Sequence, residues 1–262
     1  MSSVPSTPRT RFSGTTALVT GAGSGLGRAV ALALAAEGAR VVVTGRSPAP
    51  LAETVALIEA AGGTALAHVA DVSRADEATA AVRTAVDRFG SLDVAVNAAG
   101  VLRGAGTPGG DLAHGDWRAL LDTNVTGVLY SLQAEIAQMR GQAGGGAIVN
   151  VSSNLGPHKS ARGMTGYAVS KAAVSALTRG AALDHIAEGV RINAVSPGPM
   201  ATTMSLRSGE TPAEQAVRMK AESPLGRVST TEEAAAAVLY LASADAASVV
   251  GADLVIDGGA AV

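Results

Sequence analysis

Thr16-Ala-Leu-Val-Thr20-Gly21-Ala-Gly-Ser24-Gly25-Leu26-Gly27 reads as a short apolar strand that runs straight into a glycine-rich corner. An Ala/Leu-rich stretch of helical period follows, to residue 37. Strict Gly-x-Gly-x-x-Gly spacing fails, because Leu26 stands where the third glycine would fall after Gly21 and Gly23. The spacing that holds is Thr-Gly-x-x-x-Gly-x-Gly, with Gly21, Gly25 and Gly27. Glycines at a strand-to-helix turn allow positive φ and close backbone approach, while the free amides opening the helix favour a pyrophosphate. Coming after a first strand, the loop reads as a dinucleotide site rather than as a tight turn alone.

Outward from this corner the pattern repeats. Strand-like runs fall at 41–44, 64–69, 93–97, 147–151, 191–195 and 254–256, and helical stretches at 51–61, 75–89, 117–139, 168–187 and 231–242. Most of the strand-like runs lack polar alternation, as strands buried on both faces do. The expected fold is therefore α/β, a doubly wound parallel sheet of seven strands with helices on both faces. The chain has 262 residues and no Pro/Ser-rich linker in its interior, which implies a disordered tail over 1–12 and a single domain over 13–262.

Composition narrows the partners. Acidic and basic residues nearly balance, 22 against 20, and the basic ones are scattered, unlike the footprint of a nucleic-acid binder. With no cysteine and four separated histidines, no metal site is expected. The first residues lack the apolar core of a signal peptide, and no apolar run approaches the ~18 residues of a membrane span. The expectation is a soluble, cytoplasmic protein acting on a small molecule.

Tyr167-Ala-Val-Ser-Lys171 places one of three tyrosines four residues before one of three lysines. On a helix these share a face, and a Lys⁺ beside a phenol favours the phenolate, lowering the phenol's pKa toward neutrality. A surface tyrosine beside a solvated lysine is the alternative for the pair taken alone.

Together with the Gly-rich loop, the landmarks Asp71-Val72, Asn97-Ala-Ala-Gly100, Asn124, Val151-Ser-Ser153, Asn193 through Pro197-Gly198-Pro199, and Asp257-Gly-Gly259 appear in an order that resembles the short-chain dehydrogenase/reductase family. The resemblance spans residues 14–259 and implies a Rossmann fold and an oxidoreductase acting on a carbonyl or secondary alcohol. Two departures stand out. The family's Asn-Asn-Ala-Gly reads Asn97-Ala98-Ala99-Gly100, which leaves one asparagine side chain. Ser153 lies fourteen residues before Tyr167, one more than is usual, so a one-residue bulge is expected within 154–166. Ser152 competes with Ser153, but Ser153 precedes Gly156 with the family's Ser-x-x-Gly spacing.

The resemblance implies Tyr167 as general acid/base, Lys171 as its electrostatic partner and ribose ligand, Ser153 as donor to the carbonyl oxygen, and Asn124 as holder of a water. A polar residue that kinks a helix and is satisfied by backbone is the other reading of Asn124. Cofactor contacts are expected from Gly21, Ser24, Gly25, Leu26, Gly27, Arg46, Ser47, Asp71, Val72, Asn97, Ala98, Gly100, Tyr167, Lys171, Pro197, Gly198, Met200 and Thr202. For Asp71, which would accept from the adenine amino group, a helix-capping turn is the alternative.

In NAD-dependent sites the second strand ends in an acidic residue. Here Gly45 takes that position, and Arg46 with Ser47 offers a cation and a hydroxyl to a 2′-phosphate. NADP(H) is the expected cofactor and NAD(H) the other candidate, since Ser24 stands where a second basic residue could lie. An NADPH-dependent ketone reductase leads, ahead of an NAD-dependent alcohol dehydrogenase and, more remotely, a non-catalytic nucleotide-sensing scaffold. Substrate walls are expected from 101–107, 154–166 and 200–224. The alanines of 168–187 and the apolar excess of 117–139 suggest helix pairing across a two-fold axis, and the resemblance implies a homotetramer completed through the last strand.

Overall fold

Seven strands form one parallel sheet, ordered β3-β2-β1-β4-β5-β6-β7: β1 (Thr16–Thr20), β2 (Arg40–Gly45), β3 (Thr64–Val69), β4 (Val94–Asn97), β5 (Gly146–Val151), β6 (Val190–Pro197) and β7 (Asp253–Ile256). The computed structural model describes residues 10–262. Adjacent strand residues face opposite sides of the sheet, so Ala17 and Val19 enter one apolar layer and Leu18 the other. The first layer packs under α1 (Gly25–Ala36), α2 (Pro48–Ala60) and α8 (Thr231–Ala242). The second packs under α3 (Ala75–Phe89), α5 (Gly127–Met139) and α6 (Thr165–His185). Strand order reverses between β1 and β4, and in open α/β sheets the crevice at such a switch point holds the ligand.

Three features depart from the sequence reading. The helix expected over 117–139 is two helices, α4 (His114–Leu121) and α5, joined by a π-helical turn over Asp122–Thr126 that carries Asn124. A helix, α7 (Pro212–Glu222), lies inside the substrate-wall segment 200–224, where no helical stretch is expected. It is polar overall, with only Gln215 and Met219 buried, yet Thr211-Pro-Ala-Glu214 is a capping box with proline in the first turn, a signal sufficient to find it. The disorder expected over 1–12 does not extend to residues 11 and 12. Phe12 is 2% exposed, and Arg11 is bonded to Glu37 at the end of α1. Residues 1–9 lie outside the described residues.

Candidate active site

The Gly-rich corner is held open by contacts that no larger residue would tolerate. Gly21 has φ +67°, and a Cβ there would come within 2.8 Å of the Ala99 backbone; a Cβ at Gly27 would overlap the Gly21 carbonyl. The corners after β1 and β4 thus touch, and Ala99 N donates to Thr20 Oγ1 at 3.1 Å. Ser24 precedes α1 without a side-chain cap, which leaves the amides of the first turn to an anion. Thr202 faces this turn, 3.4 Å from where a Cβ of Gly25 would sit. Met200 and Thr202 are braced together by Ser205, and Gly198 passes close against Asp257. The cradle that a Cβ would fill and the uncapped helix start fit a dinucleotide pyrophosphate.

Around this cradle the expected contacts separate. Arg46 and Ser47 are exposed at the end of β2, and Arg46 forms no ion pair among the described residues. Arg28, the nearest basic residue to the loop, is occupied by Gly23 O, Glu53 and Thr54. Asp71 uses Oδ1 in a turn with Ser73, at 3.0 Å to the amide and 2.7 Å to the hydroxyl, leaving Oδ2 free. Burial pushes its carboxyl up, but the Ser73 bonds and the charges of Arg46 and Arg74 hold it below the ordinary value. Val72 is buried against Gly127. The Asn97 side chain is turned into the core toward Glu135 and Asn150, so what this residue presents at the crevice is backbone.

The reacting groups expected from the sequence come together at the carboxyl ends of β4 and β5. Helix α6 begins at Thr165, which puts Tyr167 in its first turn and Lys171 one turn on. Ser153 Oγ accepts from Leu155 N at 3.1 Å, so its proton is free to point outward, and its hydroxyl lies near enough to the Tyr167 phenol to favour the ionised form. Ser152 faces the other way, 2.8 Å from the Lys171 carbonyl and 2.9 Å from Ser175 Oγ. Lys171, 5% exposed, donates to Val151 O at 2.8 Å and stands 5.9 Å from the Tyr167 ring centroid. Asn124 takes both backbone groups of Val101, at 2.8 and 2.9 Å, and donates to Ser170 Oγ at 3.0 Å. The backbone-satisfied reading of Asn124 thus accounts for its bonds here. Ser170, which also donates to Tyr167 O, is a linking residue the sequence reading missed.

The charge effect expected from Lys171 is not what dominates. Burial pushes the Tyr167 phenol up to about 12, against the pull of the Ser153 hydroxyl, and pushes Lys171 down to about 8. Desolvation penalises both charged forms and outweighs their attraction across this distance. In the 154–166 loop, Gly156 N bonds Lys159 O at 2.8 Å to close a tight turn. The loop is tied down by Asn154 to Asp257, His158 to Asp253, and Lys159 to Ala260 O. No helix among the described residues is long and apolar enough to cross a membrane, and no group of three His, Asp or Glu side chains among them could hold a metal ion.

A doubly wound sheet with a glycine cradle at its switch point and a Ser, Tyr and Lys beside it defines a dinucleotide-dependent oxidoreductase. A family model described as enoyl-(acyl carrier protein) reductase matches residues 21–261. Cyclohexanol dehydrogenase of Acinetobacter sp. (strain SE19) is 38% identical over 248 residues, 95% of each chain. Cis-4-hydroxycyclohexanecarboxylate dehydrogenase of Sinomonas cyclohexanicum is 41% identical over 249 residues, 95% of this chain and 97% of its own. The solved structure of a mutant short-chain dehydrogenase/reductase from Serratia marcescens has a TM-score of 0.87 at 36% identity, covering 96% of this chain and 100% of that one. The chain belongs to the short-chain dehydrogenase/reductase family of oxidoreductases.

Proposed function

We propose that this protein reduces a ring ketone to its secondary alcohol with NADPH. The observation that carries the reading is the gathering of Ser153, Tyr167 and Lys171 at one place, with Lys171 5.9 Å from the Tyr167 ring centroid, beside the crevice between β1 and β4. The nicotinamide, when bound, supplies the hydride. Ser153, its lone pair engaged by Leu155 N, donates to the substrate oxygen and stabilises the charge that develops there. Tyr167 holds its proton at neutral pH, because burial keeps the phenol near 12. It is therefore set to protonate an alkoxide, which is a stronger base than a phenolate. Lys171 has two donors beyond its bond to Val151 O and offers them to the ribose hydroxyls. Asn124 orients this end of α6 through Ser170, whose hydroxyl donates to the Tyr167 carbonyl.

Unpaired Arg46 after Gly45, with no carboxylate at the strand end, favours the 2′-phosphate. A ring substrate is suggested by the two relatives named for cyclohexane alcohols. The second reading, an NAD-dependent alcohol dehydrogenase, is favoured by Ser24 and by the commitment of Arg28 elsewhere, which leave the loop without a free second cation. A panel of cyclic, linear and steroid ketones assayed with both cofactors tests this. The expected result is turnover of cyclic ketones with kcat/KM about tenfold or more higher for NADPH; equal or better use of NADH assigns the second reading.

Assembly as a homotetramer belongs to the same proposal. Leu129 on α5 and Val169 and Leu183 on α6 are exposed large apolar residues, at 37%, 43% and 79%, and the groove between these helices is floored by Ala173, Ala176 and Leu177. Light scattering at micromolar concentration is expected to give four times the 25.7 kDa chain mass; a fully active species of one chain mass contradicts it.

A further inference from the structure

Glu135 is completely buried on α5, on the side that meets β4 and β5. Its Oε2 accepts from Asn97 Nδ2 at 2.9 Å, and the same nitrogen donates to Asn150 Oδ1 at 3.0 Å. Asn150 in turn donates to Thr178 on α6, whose hydroxyl donates to Val174 O. Two side-chain atoms of this chain of bonds lack a partner: Glu135 Oε1 and Asn97 Oδ1. They belong to the two residues already joined through their other atoms. A carboxylate oxygen and an amide oxygen are both acceptors, so an ionised Glu135 leaves each without a donor from the protein in a buried site. A carboxylic acid carries one O–H donor, and a single proton on Oε1 satisfies both atoms at once.

We propose that Glu135 is held as a neutral carboxylic acid that donates to Asn97 Oδ1, and that the acid–amide pair is a positioning device for the cofactor-facing segment 98–101. Asn97 is the last residue of β4. The backbone beyond it presses on Gly21, is bonded to Thr20 at Ala99, and is gripped by Asn124 at Val101. Releasing the Asn97 amide frees the root of that segment.

Burial pushes the Glu135 carboxyl up to about 7, with the Asn97 bond pulling the other way, and no charged group contributes. Neither β4 nor β5 carries a titratable side chain. On α3, Asp76, Arg83, Asp87 and Arg88 are exposed, and Glu77 is bound to Arg74 and the Asp71 amide. Asp122 of the π-turn and Arg179 and Asp184 of α6 are exposed as well; His185 of α6 is bound to Glu188, and buried Lys171 is committed to Val151 O. Because the folded pKa is raised, the stabilisation is full below the ordinary carboxyl value of 4.5 and is lost as pH rises toward about 7.

Infrared difference spectra of wild type and Glu135→Gln, without cofactor, test the protonation. A carboxylic acid C=O band is expected in the wild type near pH ~5.5, lost near pH ~9 and missing from the variant at both. The KM for cofactor tests the positioning. It should rise about fivefold across that range in the wild type beyond any rise in Glu135→Gln, whose side-chain amide donates to Asn97 Oδ1 at every pH. Taking the difference removes the titration of Lys171, common to both proteins. If the variant does not fold, the wild-type band and its loss on alkalinisation decide. Absence of the band, or coincident KM curves in the two proteins, overturns the proposal. The KM arm rests on the cofactor placement proposed above and the infrared arm does not, so failure of one is separable from failure of the other.

Discussion

At its amino end the central sheet is closed by matched polar groups, whereas at its carboxyl end polar groups are gathered with bonds to spare. Asp93, just before β4, accepts from Thr16 N at 2.8 Å and Ser91 Oγ at 2.7 Å. Gln142 clamps both backbone groups of Leu92, each at 2.9 Å. Arg191, at the start of β6, donates to the carbonyls of Leu241, Ala242, Ser243 and Ala246, where α8 ends. At the other end the first turn of α1 has no side-chain cap, Arg46 is exposed, and buried Lys171 uses one donor of three. A half-buried cation and a buried one thus serve opposite ends: Arg191 spends its guanidinium on fixed acceptors and stabilises the fold, while Lys171 keeps donors unspent at a cost in desolvation.

The largest effect that can break this contrast comes from Lys171→Ala. It is expected to lower kcat/KM by roughly 10⁴-fold and to weaken cofactor binding, since one side chain acts on both ribose and phenol. Thermal stability should hold or rise, because a desolvated cation is removed. Its pKa sets the sign: with the folded value down at about 8, the unfolded chain binds the extra proton, so the wild type gains stability as pH rises from there toward 10.5 and the variant does not. Melting curves across that range, beside steady-state kinetics, check both arms. Arg191→Met gives the converse, a smaller change. Losing its charge-assisted bonds to the end of α8 should cost about 3 kcal/mol in urea denaturation, with kcat per folded molecule within about twofold of wild type.

How far the sequence reaches follows the same division. The sheet is legible because nearly continuous apolar runs bounded by glycine have few other uses, and β1, β3, α3 and α8 fall where periodicity puts them. Tyr167 and Lys171 share a helix face as their spacing implies, and Ser153 stands beside them as the family resemblance implies. What stayed hidden depends on contacts between distant segments. The π-turn exists where Asn124 reaches back to Val101, and the inward turn of Asn97 depends on Glu135, which lies 38 residues along the chain. The raised phenol pKa reflects burial, which the Tyr-x-x-x-Lys pattern does not encode. Helix α7 was within reach, since its capping box is local, but its composition is polar and only Gln215 and Met219 are buried, so no apolar run marks it.

The account turns on Tyr167 as the proton donor at the carboxyl end. Its most direct test is single-turnover reduction by Tyr167→Phe, with NADPH affinity measured on the same preparation. Deleting the hydroxyl removes the donor while the ring and Lys171, with its donors for the ribose, remain, so the dissociation constant should stay within about twofold while the reduction rate falls by roughly 10³-fold. A variant that retains more than about a tenth of the wild-type rate with unchanged affinity would contradict the assignment.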